Sequence, residues 1–220
     1  MAQDNATRAA IIKTFVVFGL LFYLVYNMAV QNTDELGQQV SQEINASKNL
    51  ISTERWKTVI SNTESSFNVL VKDYGLIEHL NQILIPDNSK PSRGINVVAE
   101  KFTSFNYTMA KNIPLLIFQS LYRWNLILGW LIIFLPYLFA MLADGMYQWK
   151  LKRYVFGNVT VQFYRVWFRA FWIISALTTV YLVMPNMALF NNFAQLFPPI
   201  ALLLLGIALN RLWSNFQKLM

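Results

Sequence analysis

The stretch that decides the fold is Trp124–Arg153, WNLILGWLIIFLPYLFAMLADGMYQWKLKR. Its first part, Trp124–Ala143, carries no charge. As a helix of about twenty residues it rises about 30 Å, the thickness of a bilayer's hydrocarbon core. Pro136 is expected to kink this helix, as membrane helices tolerate. The chain then leaves on Asp144-Gly145 and sets Lys150, Lys152 and Arg153 close together. The aspartate and glycine mark where the helix reaches water. The three cations hold that end to an anionic cytoplasmic leaflet, at about 1 kcal/mol each.

The rest of the chain has the composition of a membrane protein. Of 220 residues 55% are hydrophobic, and only 13% are charged, about half the usual share. Aromatic residues reach 15%, which suits a chain that meets two membrane–water boundaries. The net charge of +7 is explained by cations that hold loops on the cytoplasmic side, before nucleic acid need be invoked. There is no cysteine, so disulfides, cysteine metal sites and thiol catalysis are excluded.

Three further spans complete the pattern. Thr14–Val30 is apolar and preceded by Arg8 and Lys13; it is longer than a signal-peptide core and lacks a small-residue cleavage site, so it reads as an anchor. Ala170–Asn210 is uncharged and too long for one crossing. Its polar middle, Pro185-Asn186 to Gln195, reads as a turn between spans at 170–187 and 196–210. The expected fold is therefore an all-α membrane protein, with four transmembrane helices and a helical periplasmic domain between the first and second. Residues 1–30 form the tail and anchor, 31–113 the periplasmic domain, and 114–220 a three-span domain with a basic loop at 144–169.

Charge sets the direction. The 144–169 loop holds Lys150, Lys152, Arg153, Arg165 and Arg169, and the C-terminal tail holds Arg211 and Lys218. Residues 31–113 hold eight cations against nine acids and show no bias. The expected location is the bacterial inner membrane, with both termini and the basic loop cytoplasmic and 31–113 periplasmic.

The 31–113 segment reads as helical. Ser61-Asn62-Thr63-Glu64 fits a capping box at a helix start. A stripe then runs through Phe67, Leu70, Tyr74, Ile77, Leu80 and Leu84 at helical spacing, with Gly75 a weak point. Pro86–Pro91 with Gly94 reads as a turn. A second stripe, Ile95, Val98, Phe102, Phe105 and Met109, leads through Pro114 into the second span. The two stripes form a helical hairpin in which each buries against the other or against an earlier helix around Leu36–Ile60, and which serves either as a cap on the membrane domain or as a docking surface.

No motif for chemistry is present. The chain lacks a P-loop, an H-E-x-x-H and a G-x-S-x-G, and its single histidine, His79, reads as a surface residue. No carboxylate falls inside an expected span, which argues against a proton or cation pathway. The expectation is a protein that is not an enzyme and needs no cofactor or metal. The candidate interaction residues are Asp144, Lys150, Lys152, Arg153, Tyr164, Arg165, Trp167 and Arg169. Arginine alternating with aromatics serves as an interface anchor, a protein docking surface or a nucleic-acid contact. Direct nucleic-acid contact is not expected. Asp144 could pair with one of the cations.

The Asp144-Gly145 exit, the Lys152-Arg153 pair, the Tyr164-Arg165 step and the closing Ser214-Asn215-Phe216-Gln217-Lys218 resemble the integrating conjugative element membrane protein family. These are inner-membrane proteins of conjugative plasmids and integrative elements. The match in motifs covers about the last 80 residues. Where that family often has arginines after the glycine, this chain has Gln148-Trp149-Lys150. The resemblance implies an accessory role in conjugative DNA transfer, with a type IV secretion coupling ATPase or another secretion component as partner. Alternative readings are an exclusion protein acting in recipient cells, a small structural subunit of another membrane complex, and a small transporter or membrane enzyme, against which the uncharged spans argue. Membrane lipid is an expected partner on any reading, and homo-oligomerisation is open.

Overall fold

The N-terminal apolar run continues as a single helix, α1 (Ala2–Ala29), in a computed structural model that describes residues 2–85, 96–152, 161–185 and 193–216. Six more helices follow: α2 (Thr33–Ser47), α3 (Thr53–Lys72), α4 (Leu76–Leu84), α5 (Asn96–Lys152), α6 (Val161–Val183) and α7 (Phe193–Ser214). No strand occurs among the described residues.

Among the described residues, four helices are long and apolar enough to cross a membrane, with candidate spans at Ile11–Ala29, Thr103–Lys152, Gln162–Val183 and Gln195–Ser214. Their exposed faces carry large apolar side chains, among them Phe15 and Phe22 on α1, Ile132 and Phe139 on α5, and Trp172 and Ile173 on α6. A water-soluble fold rarely exposes so much contiguous apolar surface, whereas lipid solvates it.

The directions of the four helices follow from who meets whom. Tyr137 on α5 donates to the Leu203 carbonyl of α7 at 3.0 Å, and Lys152 at the end of α5 reaches Asn215 just past the end of α7. Those two helices are parallel. Tyr164 at the start of α6 meets Phe216, while Tyr181 near its end stacks on Phe197, so α6 is antiparallel to α7. The C-terminal end of α1 sits beside Asn112 of α5, whose side-chain amide donates to the carbonyls of Asn27 and Gln31. The bundle thus has two ends. One gathers α2, α3 and α4, and the other gathers Asp144, Lys152, Arg165 and Arg211. Gly206 is buried under the Tyr137 ring, in a space that a side chain would fill.

Helix α5 has 57 residues and is about 85 Å long. It passes Pro114 and Pro136 without interruption. The second apolar stripe and the second span are therefore one rod, and position 113 lies within it.

The turn after α1 is capped by Asn32, whose side chain accepts from the Asp34 amide at 3.1 Å, and Asp34 and Glu35 complement the dipole of α2. α2 buries Leu36, Val40, Glu43 and Ser47, one face at steps of four and three. α3 returns beside it, tied by a 3.1 Å bond from the Trp56 indole to the Ile44 carbonyl. Val59 then packs with Tyr122 and Leu126 of α5, flanked by Ile44, Ile51, Ile60 and Trp130. Phe67 meets Phe118 edge to face at 5.4 Å.

Three local expectations are corrected. Ser61–Glu64 does not start a helix. It lies in the middle of α3, where Thr63 is buried and its hydroxyl donates back to the Val59 carbonyl. The start is Ser52, which makes no side-chain cap. Nor is the stripe from Phe67 to Leu84 one helix. It breaks at Gly75, whose φ of +58° is the left-handed conformation that favours glycine. Both pieces, α3 and α4, lie against α5. α6 begins at Val161, earlier than the charge pattern implied, so Arg165 and Arg169 are on the helix itself. The expected turns at 86–94 and 186–192, and Asn158, lie outside the described residues.

Candidate functional site

Two polar clusters stand at opposite ends of the bundle. The first contains the residues singled out in the sequence. Gly145 lets α5 and α7 touch: a Cβ there would lie 2.8 Å from the Asn210 carbonyl oxygen and 3.2 Å from Trp213 Cβ. That approach places Asn210 beside Asp144. The Asn210 amide donates to Asp144 Oδ2 at 2.7 Å and to the Met141 carbonyl at 2.9 Å, and Gln148 donates to the same carboxylate oxygen at 2.7 Å. Asp144 is thus held by two amides, and no cation pairs with it among the described residues. One turn on, Lys152 Nζ donates to Asn215 Oδ1 at 2.9 Å, and Asn215 in turn caps the Arg211 carbonyl at 2.7 Å.

Aromatic contacts extend the same cluster to α6. Tyr164 stacks on Phe168 and meets Phe216, both at 6.0 Å. Lys150 lies over the Tyr147 ring. The sequence candidates therefore divide. Asp144, Lys152 and Tyr164 join α5, α6 and α7. Arg165, Arg169 and Lys150 are exposed, and Trp167 is half-buried. Arg153 lies outside the described residues.

The second cluster was not legible as a site. Glu43 and Arg123 form a buried ion pair, 2% and 3% exposed, with Nε to Oε1 at 2.6 Å and Nη2 to Oε2 at 2.8 Å. Gln119 donates to Glu43 Oε2 at 2.5 Å, and Gln195 at the start of α7 reaches the Glu43 carbonyl. The other face of the guanidinium donates to the Tyr181 and Met184 carbonyls, which α6 leaves unsatisfied at its C-terminus, and lies 4.9 Å over the Tyr181 ring. Tyr122 donates to Ser47, which donates to the Ile44 carbonyl at 2.6 Å. One arginine thereby connects α2, α5 and α6, and its carboxylate partner brings in α7. The missed signal was Glu43 itself, an acid on the buried stripe of α2. Arg123 looked like the border of a span because apolar residues flank it on both sides.

A family model described as "IncC plasmid conjugative DNA transfer protein DtrJ-like" matches residues 27–217. That range contains both clusters and leaves out most of α1. No curated protein and no solved structure matches the chain.

Proposed function

This chain belongs to the DtrJ-like family of IncC plasmid conjugative DNA transfer proteins, and from that membership we propose that it is a non-enzymatic, inner-membrane accessory of the transfer machine. The family match carries the reading. It agrees with the resemblance of the closing motifs to membrane proteins of conjugative elements.

The partner we propose is the coupling ATPase of the type IV secretion system. The basic end of the bundle supports this choice. Asp144, Asn210, Lys152 and Asn215 fix the ends of α5 and α7 against each other. Lys150, Arg165 and Arg169 are left exposed beside Tyr147 and Phe168. Arginine and tyrosine on a fixed frame are what a protein hot spot uses. By the positive-inside rule this end faces the cytoplasm, where an ATPase works, and α2–α4 face the periplasm.

The test is made in the donor cell. Deleting the gene should lower transfer by orders of magnitude, with recovery from a plasmid copy. The full-length protein should co-purify with the ATPase in mild detergent, and replacing Arg165 and Arg169 by glutamine together should weaken that association. Normal donor transfer without the gene would reject the accessory role. Reduced uptake by recipients that express it would favour exclusion instead.

A further inference from the structure

The hairpin of α2 and α3 reaches unexpectedly far along α5. α3 runs antiparallel to α5: Thr63 accepts from Asn125, and Val59 faces Gly129, whose Cβ position is 3.8 Å from Val59 Cγ2. The beginning of α3 therefore sits level with Trp130–Ile133. That is about 10–15 Å beyond Arg123 toward the other end of the bundle. Yet the hairpin tip is charged, and Lys48, Glu54, Arg55 and Lys57 are all exposed. A charge facing hydrocarbon costs several kcal/mol, so this tip must meet lipid headgroups or water. Ile132, level with the tip, and Phe139, beyond it, expose 69% and 66% of their surface, which acyl chains accommodate at low cost.

At this boundary the α3–α5 seam holds an open pocket of about 450 Å³. Leu50, Leu126, Ile132 and Ile133 supply its apolar wall, and Arg55, Asn62 and Asn125 its polar side. Arg55 has no ion-pair or hydrogen-bond partner among the described residues. Trp130 also lines the pocket, and its indole N–H is buried without an acceptor among those residues. The tip bears three cations to one acid. A guanidinium beside an apolar wall fits one amphipathic ligand that carries an anion on a hydrocarbon tail.

The geometry points to a phospholipid site at the α3–α5 seam, on the leaflet that faces α2–α4, with the phosphodiester on Arg55 and an acyl chain against Ile132 and Ile133. The bound lipid fills the seam between hairpin and rod, and so fastens the hairpin to the bilayer as well as to α5. It also places the headgroup level near Trp130 rather than Arg123. The following stretch to Lys152 is then about 33 Å long and still spans the hydrocarbon.

Native mass spectrometry of the full-length protein in mild detergent, titrated with phosphatidylglycerol, tests this. The wild type should take up one lipid saturably. R55Q should retain about tenfold less, the loss of one charge-assisted contact. G129L, which fills the pocket without touching a charge, should lose the lipid as well, while R169Q at the opposite end should bind as the wild type does. Equal retention by R55Q and the wild type, the absence of a saturable adduct on the wild type, or displacement of the lipid by inorganic phosphate alone would each overturn the proposal. Should either pocket variant fail to fold, the saturation and phosphate competition of the wild type decide the question.

Discussion

Glu43 and Arg123 show how much one buried pair organises. Each has lost its water, and each is repaid only by the other and by Gln119, Tyr181 and Met184. Removing one partner leaves an uncompensated charge, which costs about 3–5 kcal/mol, whereas replacing both by apolar groups of similar volume is far milder. E43A and R123A should therefore each lower the melting temperature in detergent sharply, and the double variant E43L/R123M should recover most of the loss. R123K should behave nearly as badly as R123A, because an ammonium cannot serve the carboxylate and two carbonyls with one planar fork. If the double variant shows the sum of the two single losses, the pair is not the joint described here. Gly145 is the counterpart at the other end. In G145A the new methyl would press on backbone that cannot rotate aside, at about 1–3 kcal/mol, and the α5–α7 contact should loosen. G129A, whose nearest neighbour is at an ordinary 3.8 Å, should be neutral or stabilising by comparison, since alanine favours helix. Equal melting of the two variants would remove the case for close approach at Gly145.

The elements differ in how openly the sequence declares them. The spans were legible because hydrocarbon imposes a length and an absence of charge, and both are written in consecutive residues. Thr14–Val30 thus ends within one residue of the end of α1, Trp124–Ala143 falls within α5, and the apolar C-terminal region divides as α6 and α7. Outside the spans the signal was local and ambiguous. Ser61–Glu64 has the spacing of a capping box, but tertiary burial of Thr63 against α5 outweighs a cap that would save about 1 kcal/mol. Gly75 declares a weak point without declaring a left-handed one. Glu43 on the buried stripe of α2 signalled the need for a partner, but not that the partner is Arg123, nor that Tyr181 and Gln195 join them, because periodicity carries no information on distant pairing. At the Asp144 end, the sequence identified the right residues but not their connections. Nothing in Asp144-Gly145 says that Asn210, rather than a lysine, will take the carboxylate. The hairpin was equally hidden, since its depth follows from the antiparallel register of α3 on α5, which only the folded chain displays.

For the molecule as a whole, orientation is the property on which the functional proposal depends, and it can be tested independently of any partner. The helix directions require that the ends of α1 and α5 nearest Asn112 share a side, and that Lys152, Tyr164 and Phe216 share the other. The cations choose between the two ways of placing that arrangement in a membrane. Lys150, Lys152, Arg165, Arg169 and Arg211 belong to one end, while residues 31–113, which include α2–α4, hold eight cations against nine acids. Turning the protein over would move the basic end across the membrane against the rule that governs insertion. The chain has no cysteine, so single cysteines report without background. Ser65, exposed on α3, and Asn158, in the connection between α5 and α6, are suitable positions. In spheroplasts, a membrane-impermeant maleimide should label S65C at once and N158C only after lysis, provided each variant still supports transfer. The opposite pattern would place the basic end outside, away from any cytoplasmic ATPase. Labelling of both from outside would mean that α5 does not cross, and would remove the four-span arrangement together with the docking face proposed on it.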